Sequence, residues 1–236
     1  MTKSFRERAI RWQRVRQRIL KHYFVIAILS GALILGIFLA FPSTEVIHRW
    51  SIATAYAGLA LLAATLLTGP LNLLRKRRNP VSTDLRRDLG ISSAVISFAH
   101  VVFGLQVHLK GRMLQYFFYP PNQRHAFFGL RLDLFGFAND TGLLATIAIA
   151  FLLALSNDLS LSRLGGRRWK SLQRWNYLLF ALVVIHGIAY QFIEERKSPY
   201  PIVFALLVVM TVVIQLAGVR QRMRKTSKLP LDAPSV

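Results

Sequence analysis

Two histidines lie in the middle of long apolar runs of this sequence. His100 falls in the run 89–109 and His186 in the run 175–193, each 11 residues after its run begins. Ionisable residues inside a membrane span are costly, so each is a functional-site hypothesis. Two neutral imidazoles that face each other at one depth can supply both axial nitrogens of a b-type haem. For either histidine alone, the alternative is a hydrogen bond to a neighbouring serine or carbonyl.

Small and polar residues share a helix face with His100. Ser93, Ser97, His100 and Gly104 follow spacings of four, three and four, so they form one stripe. This stripe predicts a surface that a flat porphyrin can approach, with Ser97 and Gly104 beside the ligand. Gly187, next to His186, suggests a similar but less clear role on the other helix.

The other four histidines are weaker candidates. The positions of His22 and His48 at helix ends predict solvated interface residues. His108 and His125 fall near the predicted outer surface, where His108 could bind a quinone or a haem propionate. No Ser-His-Asp, H-E-x-x-H or paired-carboxylate pattern supports a hydrolase.

The composition predicts a membrane protein that positions these histidines on helices. The chain of 236 residues is 53% hydrophobic with a mean hydropathy of +0.39. A span of the bilayer takes about 20 apolar residues. Six runs qualify, which predicts an all-α integral membrane bundle of six transmembrane helices: 23–42, 51–71, 89–109, 139–156, 175–193 and 201–219. Asn139-Asp140-Thr141 is interpreted as the N-cap of the fourth helix.

The distribution of positive charge predicts the orientation. Of the 31 Lys and Arg residues, 24 lie in alternate segments that include both termini, which places both termini in the cytoplasm. We therefore expect a basic cytoplasmic N-terminal segment (1–22), a membrane domain (23–219) and a cytoplasmic tail (220–236). Topology and attraction to anionic lipid explain the net charge of +21 better than nucleic-acid binding does. The expected location is a bacterial inner membrane.

Several kinds of chemistry are excluded by what the sequence lacks. Without cysteine the chain has no disulfide, no iron–sulfur cluster, no thiolate zinc site and no covalently attached c-type haem. Without a G-x-G-x-x-G or P-loop pattern, it has no Rossmann domain of its own for NAD(P)H or FAD. Any chemistry therefore takes place within the membrane or at its faces.

Local motifs around both histidines resemble the ferric reductase-like transmembrane domain family, which includes ferric reductases, NADPH oxidases and MsrQ-type haem membrane subunits. The resemblance covers about residues 70–195. It rests on the run Leu85–Gly90 before His100, on Thr141-Gly142, on Leu164-Gly165 and on Trp169–Tyr177 before His186. Two-haem members carry an inner and an outer histidine on each haem helix. Here Arg86 and Gln173 stand at the inner positions, which implies a one-haem variant.

The resemblance implies a cytochrome b that transfers electrons, with one haem b per chain held by His100 and His186. Because the inner haem is missing, a membrane quinol is the expected donor rather than a cytoplasmic NADPH dehydrogenase. Quinone and flavin are the candidate further cofactors, and a protein redox partner or larger membrane complex is expected. Whether the chain is itself an enzyme stays open, since the substrate chemistry could belong to another subunit. The rival hypothesis is a structural or assembly subunit without electron transfer.

The longest predicted outer connection, residues 110–138, is strongly aromatic. One interpretation is an interfacial aromatic belt. The other is a cap on the haem edge, in which Arg112, Arg124 or Arg131 pairs with the haem propionates. The aromatic residues concerned are Tyr116, Phe117, Phe118, Tyr119, Phe127 and Phe128.

Overall fold

The described part of the chain is almost entirely helical. The computed structural model describes residues 19–41, 43, 45–76, 83–122 and 128–226, and 83% of it is helix. A π-helical turn (Ile19–Tyr23) leads into the first of seven α-helices of the described chain: α1 (Phe24–Ala40), α2 (Val46–Leu74), α3 (Thr83–Val107), α4 (Leu134–Leu155), α5 (Asp158–Leu172), α6 (Trp175–Ile193) and α7 (Tyr200–Thr226). All except α5 are long and apolar enough to cross a membrane. The prediction of a six-span helical bundle is confirmed.

Helix α2 lies at the centre of the bundle. It packs against α1, α3, α6 and α7, and most of its residues from Ser51 to Leu67 are buried. Ala53 and Ala57 have no exposed surface, and Gly58 accepts a hydrogen bond at its carbonyl from Ser93 on α3. Small residues allow helix backbones to approach closely, which is the usual basis of helix packing in membranes.

The predicted N-cap of the fourth membrane helix is wrong. Helix α4 begins at Leu134, and the Asp133 carboxylate caps it by accepting a hydrogen bond from the Gly136 N–H at 2.7 Å. Asn139 and Thr141 lie inside the helix and are buried, where their side chains donate to backbone carbonyls one turn earlier. Such internal hydrogen bonds allow polar side chains to lie within an apolar helix.

The short helix α5 connects α4 and α6 at the end of the bundle that we call the basic end. Its N-cap Asn157 accepts a hydrogen bond from the Ser160 N–H, and Gly165 breaks it with a φ of 71°. Arg87 on α3 anchors its start through the Ser156 carbonyl and the Asp158 carboxylate. The apolar runs of the sequence predict only a connection between two membrane helices here, not a further helix. The predicted N-terminal segment and tail fall mostly outside the described residues.

The opposite end of the bundle, which we call the outer end, contains the connections α1–α2, α3–α4 and α6–α7. A short 3₁₀ turn (Met113–Tyr116) in the α3–α4 connection folds back onto the end of α3. The buried Tyr116 hydroxyl donates to the Gly104 carbonyl and accepts from the His108 and Leu109 N–H groups. This one side chain therefore satisfies backbone groups where α3 ends.

Candidate functional site

The structure brings His100 and His186 together in the interior of the bundle. Their ring centroids lie 6.2 Å apart, and the ring planes are inclined at 75°. His100 projects from α3 and His186 from α6, so the two rings meet between helices that are distant in sequence. The expectation that both histidines lie at one depth is met by this contact.

The ring nitrogen Nδ1 of each histidine is bonded to a backbone carbonyl of a neighbouring helix. His100 Nδ1 donates to the Ser51 carbonyl on α2 at 2.9 Å. His186 Nδ1 donates to the Ala138 carbonyl on α4 at 2.8 Å. A carbonyl cannot donate, so each bond places the hydrogen on Nδ1 and leaves the Nε2 lone pair available. A ligating histidine is normally oriented by such a bond from its other nitrogen.

The spacing of the two rings fits a six-coordinate haem iron. A metal-bound imidazole nitrogen lies about 2.0 Å from its metal and about 1.1 Å from its ring centroid, so two axial rings have centroids about 6.2 Å apart. The observed separation is 6.2 Å. Among the described residues no group of three or more His, Asp or Glu is placed to hold a bare metal ion. A haem iron, whose porphyrin supplies four nitrogens, needs only this pair.

A cavity of about 280 Å³ extends along both histidines, and its walls are mainly apolar. Its lining residues include Ser97, His100, Gly104, His186 and Gly187, which the sequence suggested for the haem site. Ser93 is not among the lining residues, because its hydroxyl bonds the Gly58 carbonyl in the contact between α2 and α3. Of the predicted stripe, Ser93 therefore takes part in helix packing, whereas Ser97, His100 and Gly104 line the cavity.

Glycine is required beside His186. A Cβ atom on Gly142 would lie 2.8 Å from both Cε1 and Nδ1 of the His186 ring, so only glycine lets the ring lie against α4. A Cβ atom on Gly104 would lie 3.9 Å from the His100 Cε1, which is an ordinary contact. At Gly187 a Cβ atom would lie 2.5 Å from the Phe204 ring. The lack of a side chain at Gly187 therefore allows α7 to pack closely against α6.

The outer connection covers the cavity only in part. Met113, Tyr116 and Phe117 line the cavity, whereas Phe118 and Phe128 are exposed. The connection thus contributes some aromatic residues to the cavity wall and exposes others, and both the belt and the cap stay predictions. His125, Phe127 and Arg124 lie outside the described residues.

The described arginines that the sequence suggested for the propionates do not line the cavity. Arg112 is exposed. The Arg131 guanidinium bonds Asp133 and the Gln115 carbonyl and lies over the Phe135 ring. A propionate-binding role for either stays a prediction.

A charged cluster that the sequence analysis missed lies at the outer end of the cavity. Glu194 follows α6 directly and binds Arg196 Nε at 2.8 Å. His48 Nε2 lies 3.3 Å from Glu194 Oε2, and His108 Nε2 lies 3.4 Å from Glu194 Oε1. The only signal in the sequence was the rarity of acidic residues, of which the whole chain has 10.

These contacts keep Glu194 ionised. Its burial by itself raises the pKa, but the contacts with His108, His48 and Arg196 outweigh that effect and hold the pKa of the carboxyl well below its ordinary value. The Glu194 side chain is only 10% exposed, so the cluster is a buried charge network rather than a surface ion pair.

His22 and His48 lie at helix ends, as predicted, but they are only partly exposed and each contacts a carboxylate. His48 is 23% exposed and contacts Glu194. His22 is 29% exposed and bonds the Asp88 carboxylate, which has no exposed surface, at 2.7 Å. In a largely apolar bundle a buried carboxylate needs a hydrogen-bond donor, and these two histidines provide one.

The inner positions of the family pattern are not part of the cavity. Neither Arg86 nor Gln173 is among its lining residues. The Gln173 amide oxygen accepts a hydrogen bond from the Asn176 side chain at 3.2 Å. The described residues thus contain one histidine pair suited to a haem.

Comparison with known proteins assigns no family to the chain. No protein-family model matches the sequence, and no curated protein matches it. The functional assignment therefore depends on the geometry of the site.

Proposed function

We propose that this protein is a membrane b-type cytochrome, similar to the ferric reductase-like haem subunits, that carries electrons between membrane quinol and an extracytoplasmic redox partner through one haem. The observation that carries the proposal is the histidine pair. Its 6.2 Å centroid separation and the two Nδ1–carbonyl bonds, which leave both Nε2 atoms available, support a single haem iron that these two residues would hold.

Each element of the site has a defined task in this proposal. His100 and His186 would hold the iron, and the Ser51 and Ala138 carbonyls keep the hydrogen of each ring on Nδ1 and leave both Nε2 atoms available. Gly142 leaves the room that the His186 ring needs against α4. The mainly apolar walls of the cavity suit an apolar porphyrin ring. A bound haem would supply one-electron exchange between the ferric and ferrous states.

The outer connection suits a partner outside the cytoplasm, given the orientation that the charge distribution predicts. Phe128 is 99% exposed and Leu114 is 74% exposed, close to where the cavity reaches the outer end. With no second histidine pair toward the basic end among the described residues, a relay from a cytoplasmic dehydrogenase lacks its inner step. A donor dissolved in the membrane can approach the bundle from the side, which supports quinol.

A visible spectrum of the purified protein tests the proposal. We expect one low-spin b haem per chain, and we expect His100→Ala or His186→Ala to abolish it or convert it to a high-spin form. His22→Gln is the matched control, because it removes a partly buried histidine at the basic end, keeps a hydrogen-bond donor for the Asp88 carboxylate and should leave the spectrum unchanged. A chain that never binds haem, or a normal spectrum in His186→Ala, would contradict the proposal and favour a structural subunit.

A further inference from the structure

Arg196 is the only Lys or Arg among the described residues that line the cavity. On the α6 side the cavity wall runs from His186 through Tyr190 to Glu194, and it continues to Arg196 just after the helix. Glu194 lies eight residues beyond His186, about 12 Å along the helix axis. Within the described wall, an anionic group of a ligand therefore has Arg196 as its one arginine or lysine partner.

A backbone turn after α6 brings Arg196 back toward the end of the helix. The Arg196 N–H donates to the Gln191 carbonyl at 3.1 Å, and the Glu195 N–H donates to the Phe192 carbonyl at 3.2 Å. With Glu195 in the left-handed region at a φ of 45°, these two bonds form a Schellman motif. The residue after the left-handed position of this motif frequently contacts the last turns of its helix. Here that residue is Arg196, which explains how a residue beyond α6 lines the cavity.

One edge of the Arg196 guanidinium is occupied and the other is free. Its Nε donates to Glu194 at 2.8 Å, and Glu194 also accepts from His48 Nε2 at 3.3 Å. No described residue accepts a hydrogen bond from Arg196 Nη1 or Nη2, although the side chain is only 10% exposed. Unlike His108 Nε2 and Gln191 Oε1, these terminal nitrogens are not fully enclosed. The N–H groups of both terminal nitrogens are therefore available to a ligand.

The free edge of the guanidinium fits a carboxylate. Its two terminal nitrogens lie in one plane and can donate to both oxygens of a carboxylate at once, which a single carbonyl oxygen cannot reproduce. Unpaired N–H groups on a cation are costly in a mainly apolar cavity, so a ligand that pairs them is stabilised. Because Glu194 lies on the Nε side, the guanidinium itself separates a second carboxylate from the Glu194 charge.

A haem at the histidine pair would bring carboxylates into this cavity as its propionate groups. We propose that Arg196 binds a haem propionate through Nη1 and Nη2, with the propionate edge of the haem toward the outer end of the bundle. This contact rests on the proposed function, because it needs a haem in the cavity. It assigns to Arg196 the role that the sequence suggested for Arg112, Arg124 or Arg131.

Iron protoporphyrin IX and its dimethyl ester test the contact, because the ester has the same ring and iron but no propionate charge. The full-length apoprotein from haem-deficient cells is titrated in detergent with each compound, and the low-spin spectrum measures both affinities. We expect the wild-type protein to favour the free acid over the ester. Arg196→Gln should lower the ratio of the two affinities about tenfold, since it removes a charge-assisted pair of hydrogen bonds.

Lys197→Gln is the matched control, because it removes the exposed neighbouring cation, which does not line the cavity. It should leave the ratio unchanged. The double variant Glu194→Gln/Arg196→Gln provides a second measurement if Arg196→Gln does not fold, since it leaves neither charge of the pair without its partner. We expect the same tenfold loss in the double variant relative to Glu194→Gln alone, in which Arg196 keeps its free edge.

The outcomes separate this contact from the proposed function. A low-spin spectrum with a ratio that Arg196→Gln leaves unchanged would overturn the contact and keep the cytochrome, and a free carboxylate or phosphate would then be the better ligand for Arg196. A tenfold loss in Arg112→Gln but not in Arg196→Gln would overturn it in favour of the exposed arginine. No low-spin spectrum with either compound would overturn the cytochrome and the contact together.

Discussion

At the residue scale, Gly142 and Gly104 line the same cavity but leave different amounts of room beside a histidine ring. A Cβ atom on Gly142 would come within 2.8 Å of His186, and one on Gly104 would stay 3.9 Å from His100. The His186 ring cannot retreat without losing its bond to the Ala138 carbonyl. One added methyl group therefore distinguishes the two positions, because it would clash with the ring beside Gly142 and would fit beside Gly104.

Gly142→Ala should destabilise the site by about 1–3 kcal/mol, because the methyl group overpacks it and displaces the His186 ring. We expect the variant to lose haem, or to bind it in a high-spin form, in the spectrum of the purified protein. Gly104→Ala should keep a low-spin spectrum. Equal behaviour of the two variants would show that the room beside His186 does not matter.

Glu194 makes a pH-dependent contribution to stability. Because its pKa is lower in the folded protein than in the unfolded chain, the contribution is complete above the unfolded pKa, about 4.3, and is lost as the pH falls toward the folded pKa. Glu194→Gln should therefore lower stability by about 1–3 kcal/mol at pH 7, with the deficit shrinking below about pH 4.

Thermal unfolding in detergent between about pH 2 and pH 7 measures this effect. The matched control is Glu195→Gln, which changes the exposed neighbouring carboxylate and should leave the unfolding midpoint within a degree or so of the wild-type value, as surface substitutions generally do. A deficit for Glu194→Gln that is the same at every pH would show that the charge network contributes nothing.

At the scale of the elements, α4 shows how a cap is distinguished from polar residues inside a helix. The sequence contains two acidic residues near its start, Asp133 and Asp140. Asp133 caps the helix through the Gly136 N–H, whereas Asp140 is exposed on its side. The earlier start adds a turn at the outer end, and this turn includes Phe135, which contacts the His108 ring.

Asp133→Ala should destabilise the first turn of α4 by about 1 kcal/mol, the usual cost of removing an N-cap. Hydrogen exchange at the amides of residues 134–137 should become several-fold faster. Asp140→Ala should leave these amides unchanged, and the opposite pattern would restore Asn139-Asp140-Thr141 as the start of the helix.

At the scale of the whole molecule, six membrane helices leave both ends of the chain on one side of the bilayer. The excess of Lys and Arg in the segments of the basic end predicts that this side is the cytoplasm. The cavity then opens toward the extracytoplasmic face, where Glu194 and the exposed aromatic side chains of the α3–α4 connection lie.

A reporter fused after Val236 should be active as a cytoplasmic protein, and one inserted at Asn122 as an extracytoplasmic protein. Paired reporters, one active on each side of the membrane, measure both positions. A cytoplasmic signal at Asn122 would reverse the bundle and place the outer end of the cavity on the cytoplasmic side.

The sequence by itself determined the number of membrane helices and the matching positions of His100 and His186 along two of them. Both follow from local properties: about 20 apolar residues cross a bilayer, and each residue advances a helix by about 1.5 Å. The tertiary structure decided which side chains meet. His48 and Glu194 are separated by 146 residues, and no local pattern indicates a contact between helices so distant in sequence. The same reason applies to the Ser51 and Ala138 carbonyls that orient the histidines, because backbone groups carry no sequence signal, and only the packing of four helices brings them to the site.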